Sequence, residues 1–378
     1  MFERAQVIAT ATSLALLVGC SQAQSGPQTM PQQVPSASVR KEAAPTATTT
    51  GYTIKDLGAL PGDNTSEIGR GTLTYSKALN DAGQEAGASS SPTADVATLF
   101  GSGGDTNINT LNASVSLGNA INDSGQVAGE ESSTSDTCSC FHAFLYSNGV
   151  MKNIEDTSIF PNGSQAYGIN KSGQVVGAGF PTGAGYPFHA FLYSAGKMTD
   201  LNPFNGYQSI ARSINDSGEI IGSSTGDNTK ANPESSTWLY ANGKITSLSS
   251  TNNGYFINNN GQIAGENSAG DGTVYANGVW TDLGKFPGST YTIALGVNDN
   301  GIAVGIAFFP VQSYHPFRPG KHVGVLFTSN GPIDLTTLLP SNSGFTVTDA
   351  VAINDAGQIA ADAKTSTGQQ HAVLLTPH

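Results

Sequence analysis

Ala120-Ile121-Asn122-Asp123-Ser124-Gly125-Gln126-Val127-Ala128-Gly129, or AINDSGQVAG, decides how the rest of the chain is read. Two short apolar runs flank a polar tetrad. Asn and Asp bond their own backbone in turns, and Gly supplies the positive φ that closes a hairpin with a bulge. The phrase recurs as ALNDAGQEAG, GINKSGQVVG, SINDSGEIIG, FINNNGQIAG, GVNDNGIAVG and AINDAGQIAA. The repeated asparagines are Asn80, Asn122, Asn170, Asn215, Asn258, Asn298 and Asn354, spaced 40 to 56 residues apart. A period in this range signals a repeat architecture in which no single unit can bury its apolar face alone.

A second phrase follows in most copies. It reads HAFLYSNGVMKNI from His142, HAFLYSAGKMTDL from His189, STWLYANGKITSL from Ser236 and GTVYANGVWTDL from Gly272. Asn-Gly between two alternating apolar runs is the strongest short hairpin signal. Each unit therefore predicts four short strands, a to d, in an up-and-down meander, and no helical periodicity of useful length competes. Seven such units predict an all-β, seven-bladed β-propeller of four-stranded antiparallel blades. The last repeat stops after its third strand, HAVLLTPH, while an orphan fourth-strand phrase, GYTIKDLGALPG, begins at Gly51. The N-terminal strand is expected to complete the last blade and remove two open sheet edges. A β-solenoid, the rival fold, leaves that displaced strand unexplained.

Charged residues make up only 12% of the 378, against about 25% in an average domain. Net charge is -12, and no basic cluster is present, which argues against a nucleic-acid partner. Ala5 to Val18 is a largely apolar run too short to span a membrane, as in an export signal. It ends in Leu17-Val18-Gly19-Cys20, which resembles a bacterial lipobox; that resemblance implies acylation of Cys20. An ordinary secretory signal with a chance cysteine is the alternative. The expected domains are a signal peptide over 1–19, a tether over 20–50 and the propeller over 51–378. The tether is rich in Gln, Pro, Ser, Thr and Ala, a composition that cannot bury a core. Ser21, where lipoprotein sorting would place Asp for retention, implies the outer membrane.

The pairing of IN-D-x-G-Q-V-V-G with H-A-F-L-Y resembles the HAF-repeat family of bacterial extracellular repeat proteins. The match runs from about Leu79 to the C-terminus and is strongest over Ile121 to Gly129 with His142 to Tyr146, and Ile169 to Gly177 with His189 to Tyr193. The resemblance implies export and a repeated β fold. It implies no catalytic residues.

Asn122-Asp123-Ser124-Gly125 offers one carboxylate and Asn258-Asn259-Asn260-Gly261 none, so these read as turns rather than calcium loops. His142, His189 and His371 recur at one strand position and read as blade-packing residues. Cys138, Cys140 and His142 share one face of an extended strand. They are open to a Cys138–Cys140 disulfide, favoured by an oxidising compartment, to free thiols, or to a soft metal. No Gly-rich stretch is followed by a helix as a phosphate loop requires, and nothing positions a Ser-His-Asp set.

The a–b and c–d turns are nearly constant, while the b–c and d–a connections differ in every copy. One rim is thus uniform and the other diversified, and variable loops on a rigid scaffold are where binding residues concentrate. Before the small residue of strand a sit Lys77, Asn119, Tyr167, Arg212, Tyr255, Leu295 and Val351. Tyr167, Arg212 and Tyr255, with Tyr207 and Tyr291 from the d–a connections, are the candidate ligand-binding residues. Aromatic faces plus a guanidinium suit sugar rings or a peptide. The alternative is that these side chains only fill the funnel between blades. The expected function is a monomeric, cofactor-free binding or scaffold module for a protein or carbohydrate at the cell envelope, touching membrane only through its lipid. A polysaccharide hydrolase or lyase with its site at the channel mouth is the alternative.

Overall fold

The structure is a computed structural model that describes residues 51–68, 77–132, 140–181, 188–202, 208–225, 236–310, 313–314, 317–318 and 320–378. Within them the chain forms seven four-stranded antiparallel sheets, the blades of a β-propeller. Blade 2 is representative, with strand a at Val115–Ile121, b at Val127–Ser132, c at His142–Ser147 and d at Val150–Asn153. The innermost strands, a, of blades 3 to 7 are Ser164–Ile169, Gln208–Ile214, Asn252–Ile257, Tyr291–Val297 and Phe345–Ile353. Blade 1 departs from expectation. Thr65–Ile68 forms its strand a, while Ala78 and Leu79 of the repeat phrase add a backbone bond from Ala86 N–H to the Ala78 carbonyl and an isolated bridge to Glu85. No repeat phrase marks Thr65–Ile68, so the pattern alone had nothing to find there.

The ring closes as the displaced strand demands. Tyr52–Gly58 lies antiparallel to Gln370–Pro377, pairing Tyr52 with Pro377 and Gly58 with Ala372. The N-terminal strand is therefore strand d of blade 7. Contacts at this seam copy those elsewhere. The HAF alanine N–H of Ala190 donates to Ser209 Oγ of the next blade at 2.9 Å, and Ala372 N–H donates to Ser66 Oγ at 2.9 Å. His189 Nδ1 lies 2.8 Å from Asp200 between strands c and d, and His371 Nδ1 lies 3.0 Å from Asp56.

The repeated asparagine links the blades. Its Oδ1 accepts backbone N–H groups within its own turn, as Asn170 does from Ser172 and Gln174, both at 3.1 Å. Its Nδ2 reaches the backbone carbonyl of the same asparagine one blade on. Asn80 donates to Asn122, Asn122 to Asn170, Asn170 to Asn215, Asn215 to Asn258, Asn258 to Asn298, Asn298 to Asn354, and Asn354 back to Asn80, at 2.8 to 3.3 Å. Only an amide can both accept and donate in this way. The turn glycines, Gly83 through Gly357, all have φ between 71° and 81°.

The second glycine of the phrase serves packing. A Cβ at Gly129 would collide with the Leu117 carbonyl and the Phe144 ring, and one at Gly177 with the Gln165 carbonyl and Phe191. The HAF phenylalanine thus lies over bare backbone, fully buried in the layers between blades. Blade 7 carries Ala361 here, opposite Val373 rather than an aromatic. Its strand a has an extra bulge between Val347 and Asp349.

Candidate functional site at the propeller axis

Strand a lines the axis and carries a β-bulge at the same place in blades 2 to 7. The bulged residues are Asn119, Tyr167, Arg212, Tyr255, Leu295 and Val351, the positions singled out from sequence. Bulges bend a strand and re-aim a side chain, and they recur near active sites.

Three of the five candidate ligand-binding residues join one polar cluster. Arg212, half-buried, sits over the Tyr255 ring with its guanidinium carbon 5.2 Å from the centroid, a cation–π geometry. Tyr255 is 8% exposed and donates its hydroxyl to Glu266 Oε1 at 2.7 Å. Tyr167 is 2% exposed and donates to Gln165 Oε1 at 2.8 Å. Burial above all, then the Glu130 charge, raises the Tyr167 phenol pKa, while Arg212 opposes the rise. Both tyrosines are therefore walls of the site rather than open platforms. Tyr291 stands apart at the rim end of strand a in blade 6, 43% exposed and paired with Phe308. Tyr207 lies outside the described residues.

The sequence reading missed the acids. Glu130, 1% exposed, and Glu266, half-buried, occupy the strand b position that follows the packing glycine. Burial pushes the Glu130 carboxyl up to about 7, against a lowering hydrogen bond from Gln165. Burial also raises Glu266, opposed by hydrogen bonds from Tyr255 and Asn253 and by the Arg212 charge. The signal was a charged residue where the other copies have Ala88, Ala178, Ser223 and Ile306. Asp362 in blade 7 is the third acid at this position. Glu266 beside the Arg212 guanidinium, and Glu130 beside Gln165 and Tyr167, make with Asn253 a surface rich in donors and acceptors.

An open depression lies at the opposite end of the axis, on the uniform rim. Ile169, Ile214, Ile257, Val297 and Ile353 are among its apolar residues, and Asp216, Asn259, Asp299 and Asp355 line its polar edge. These side chains brace the turns. Asp216 accepts from Lys171 N–H at 2.9 Å, Asn259 from Asp216 at 3.0 Å, Asp299 from Asn259 at 2.9 Å and Asp355 from Asp299 at 2.8 Å. The turn reading of Asn-Asp-x-Gly accounts for them.

The HAF histidines do more than fill space. His142 lies 2.6 Å from Glu155, and His322 lies 3.1 Å from Asp349. Cys140 is disulfide-bonded, while Cys138 and Cys20 lie outside the described residues. Among the described residues no three His, Cys, Asp or Glu side chains gather as metal ligands.

No protein-family model matches the chain, and no curated protein matches it. Solved structures do share its fold. An oligogalacturonate lyase in complex with manganese superposes with a TM-score of 0.51 at 12% identity, over 88% of this chain and 95% of the lyase. A Trypanosoma rangeli sialidase gives 0.35 at 10% identity over 66% and 51%, and a Pyrococcus horikoshii acylaminoacyl peptidase gives 0.35 at 10% over 61% and 36%. At these identities the likeness is one of fold.

Proposed function

We propose that this chain is an exported, lipid-anchored member of the HAF-repeat family that binds a carbohydrate chain at the axis, without transforming it. One observation carries the reading. The bulged axial residue is polar or amphipathic in blades 2 to 5, as Asn119, Tyr167, Arg212 and Tyr255, and apolar in blades 6 and 7, as Leu295 and Val351. A purely architectural demand would act alike on equivalent positions. The divergence is concentrated on adjoining blades, with Glu130, Gln165, Asn253 and Glu266 beside it. Such a set of amides, weak acids and a guanidinium on an aromatic face matches the alternating donors and acceptors of a sugar. A glycan array probed with the purified protein tests this. Binding at least tenfold weaker in Arg212→Ala than in wild type is expected, and a folded protein that retains no glycan above background refutes it. A peptide as the only ligand found refutes the carbohydrate class.

A second reading rests on the two raised carboxyls. Glu130, held near 7, and Glu266, beside Arg212, suit general acid and base roles in polysaccharide cleavage. Turnover of a polysaccharide by wild type, abolished in Glu130→Gln and Glu266→Gln, would establish it in place of simple binding.

A further inference from the structure

A different carboxyl breaks the repeat at the place where the ring is sealed. The first residue of strand b is Val127, Val175, Ile220, Ile263, Ala303 and Ile359 in blades 2 to 7, and Glu85 in blade 1. This position packs toward the preceding blade. Val127 clusters with Ala86, Ala97 and Ile108 of blade 1, and Ile220 with Val176 and Ala190 of blade 3. Glu85 by equivalence faces blade 7, the blade finished by the N-terminal strand. Its backbone neighbours Leu79 and Phe100 lie in an apolar layer with Leu57, Val351, Ala360, Ala372 and Leu374. Glu85 is fully buried, and among the described residues neither carboxyl oxygen has a hydrogen-bond partner. An ionised carboxylate in such a place is far costlier than a neutral acid.

We propose that the interface between blades 7 and 1 is a proton-operated latch, tight while Glu85 carries a proton and loosened when it ionises. The charged groups around it strengthen the case. Asp362 on strand b of blade 7 and Asp105 on the link between strands c and d of blade 1 both disfavour a charge on Glu85. Lys55 on the N-terminal strand favours one, but its effect is smaller than burial and the Asp362 charge. Lys55 also donates to the Gly101 carbonyl across the seam at 3.4 Å, tying the N-terminal strand to blade 1. The sign follows from linkage. A carboxyl whose folded pKa lies above its unfolded value contributes its full stability below the unfolded value and loses it as pH rises toward the folded one. Within that window the constant for opening the seam rises about tenfold per pH unit. The other six interfaces carry an apolar residue at this position.

Hydrogen–deuterium exchange on the full chain between pH 5 and 8, corrected for intrinsic rates, reads the latch. Protection of Tyr52–Gly58 and Thr65–Ile68 is expected to fall with rising pH, while the strands of blade 6 hold theirs. Glu85→Gln and Glu85→Ile are each expected to abolish that fall; Glu85→Gln serves if the isoleucine variant misfolds. Both leave the His371–Asp56 pair between strands c and d of blade 7 intact. A pH dependence that survives both substitutions, a seam whose protection ignores pH, or an equal loss from every blade overturns the proposal.

Discussion

At the scale of single residues, the asparagine circle is the most exacting requirement of the fold. Asn170 accepts two backbone N–H groups and donates to Gln174 Oε1 and to the Asn215 carbonyl. Asn170→Asp turns two donated bonds into contacts between oxygens, and Asn170→Ala removes all four. Each is expected to lower stability by about 2–4 kcal/mol, aspartate at least as much as alanine, read from urea unfolding at pH 7. Glu130 gives a pH test. With its folded pKa about 7, its contribution to stability is complete below the unfolded carboxyl value and lost as pH rises through about 7. Glu130→Gln should therefore gain on wild type between pH 4 and 8, by on the order of 3 kcal/mol, in thermal unfolding followed at both ends of that range. The turn asparagines were legible because a local hydrogen-bond pattern prints directly onto sequence. The circle they form was not, since it depends on which carbonyl lies one blade away. Glu130 and Glu266 escaped for the same reason: a charged residue on a strand declares its chemistry only when its neighbours in space are known.

At the scale of the strand and blade, the second glycine of the phrase is held by the strand a carbonyl it faces, and in blades 2 to 4 by an aromatic ring as well. Phe144 and Phe191 lie opposite Gly129 and Gly177, whereas Val373 lies opposite Ala361. Gly177→Ala pushes a methyl into the Gln165 carbonyl and the Phe191 ring, and should cost roughly 2–4 kcal/mol through overpacking. Ala361→Gly removes a methyl that blade 7 already accommodates opposite Val373, and should cost only about 1 kcal/mol. Thermal unfolding of the two variants side by side checks the contrast. The four-strand meander was readable because both of its tight turns carry strong local signals. Strand a of blade 1 was not, because Thr65–Ile68 lies away from its Asn80 turn and bears no phrase of its own. The bulge positions were found as a column of inward residues, but the backbone feature that aims them has no sequence mark.

At the scale of the whole molecule, the order of the last strands held the key to closure, and the pairing of Tyr52–Gly58 with Gln370–Pro377 follows it. Removing residues 51–58 should leave blade 7 with an open edge and convert the protein to aggregating material, visible by size-exclusion chromatography. Cys20→Ser should abolish acylation and release the protein from membranes in detergent phase partitioning, whereas an unprocessed lipobox would leave its behaviour unchanged. The meeting of the two ends has a directional consequence. His378 N–H donates to the Gly51 carbonyl at 3.2 Å, at the start of strand d, on the side of the constant turns. An attachment made through either end of the propeller would therefore emerge on that monotonous rim, across from the variable loops.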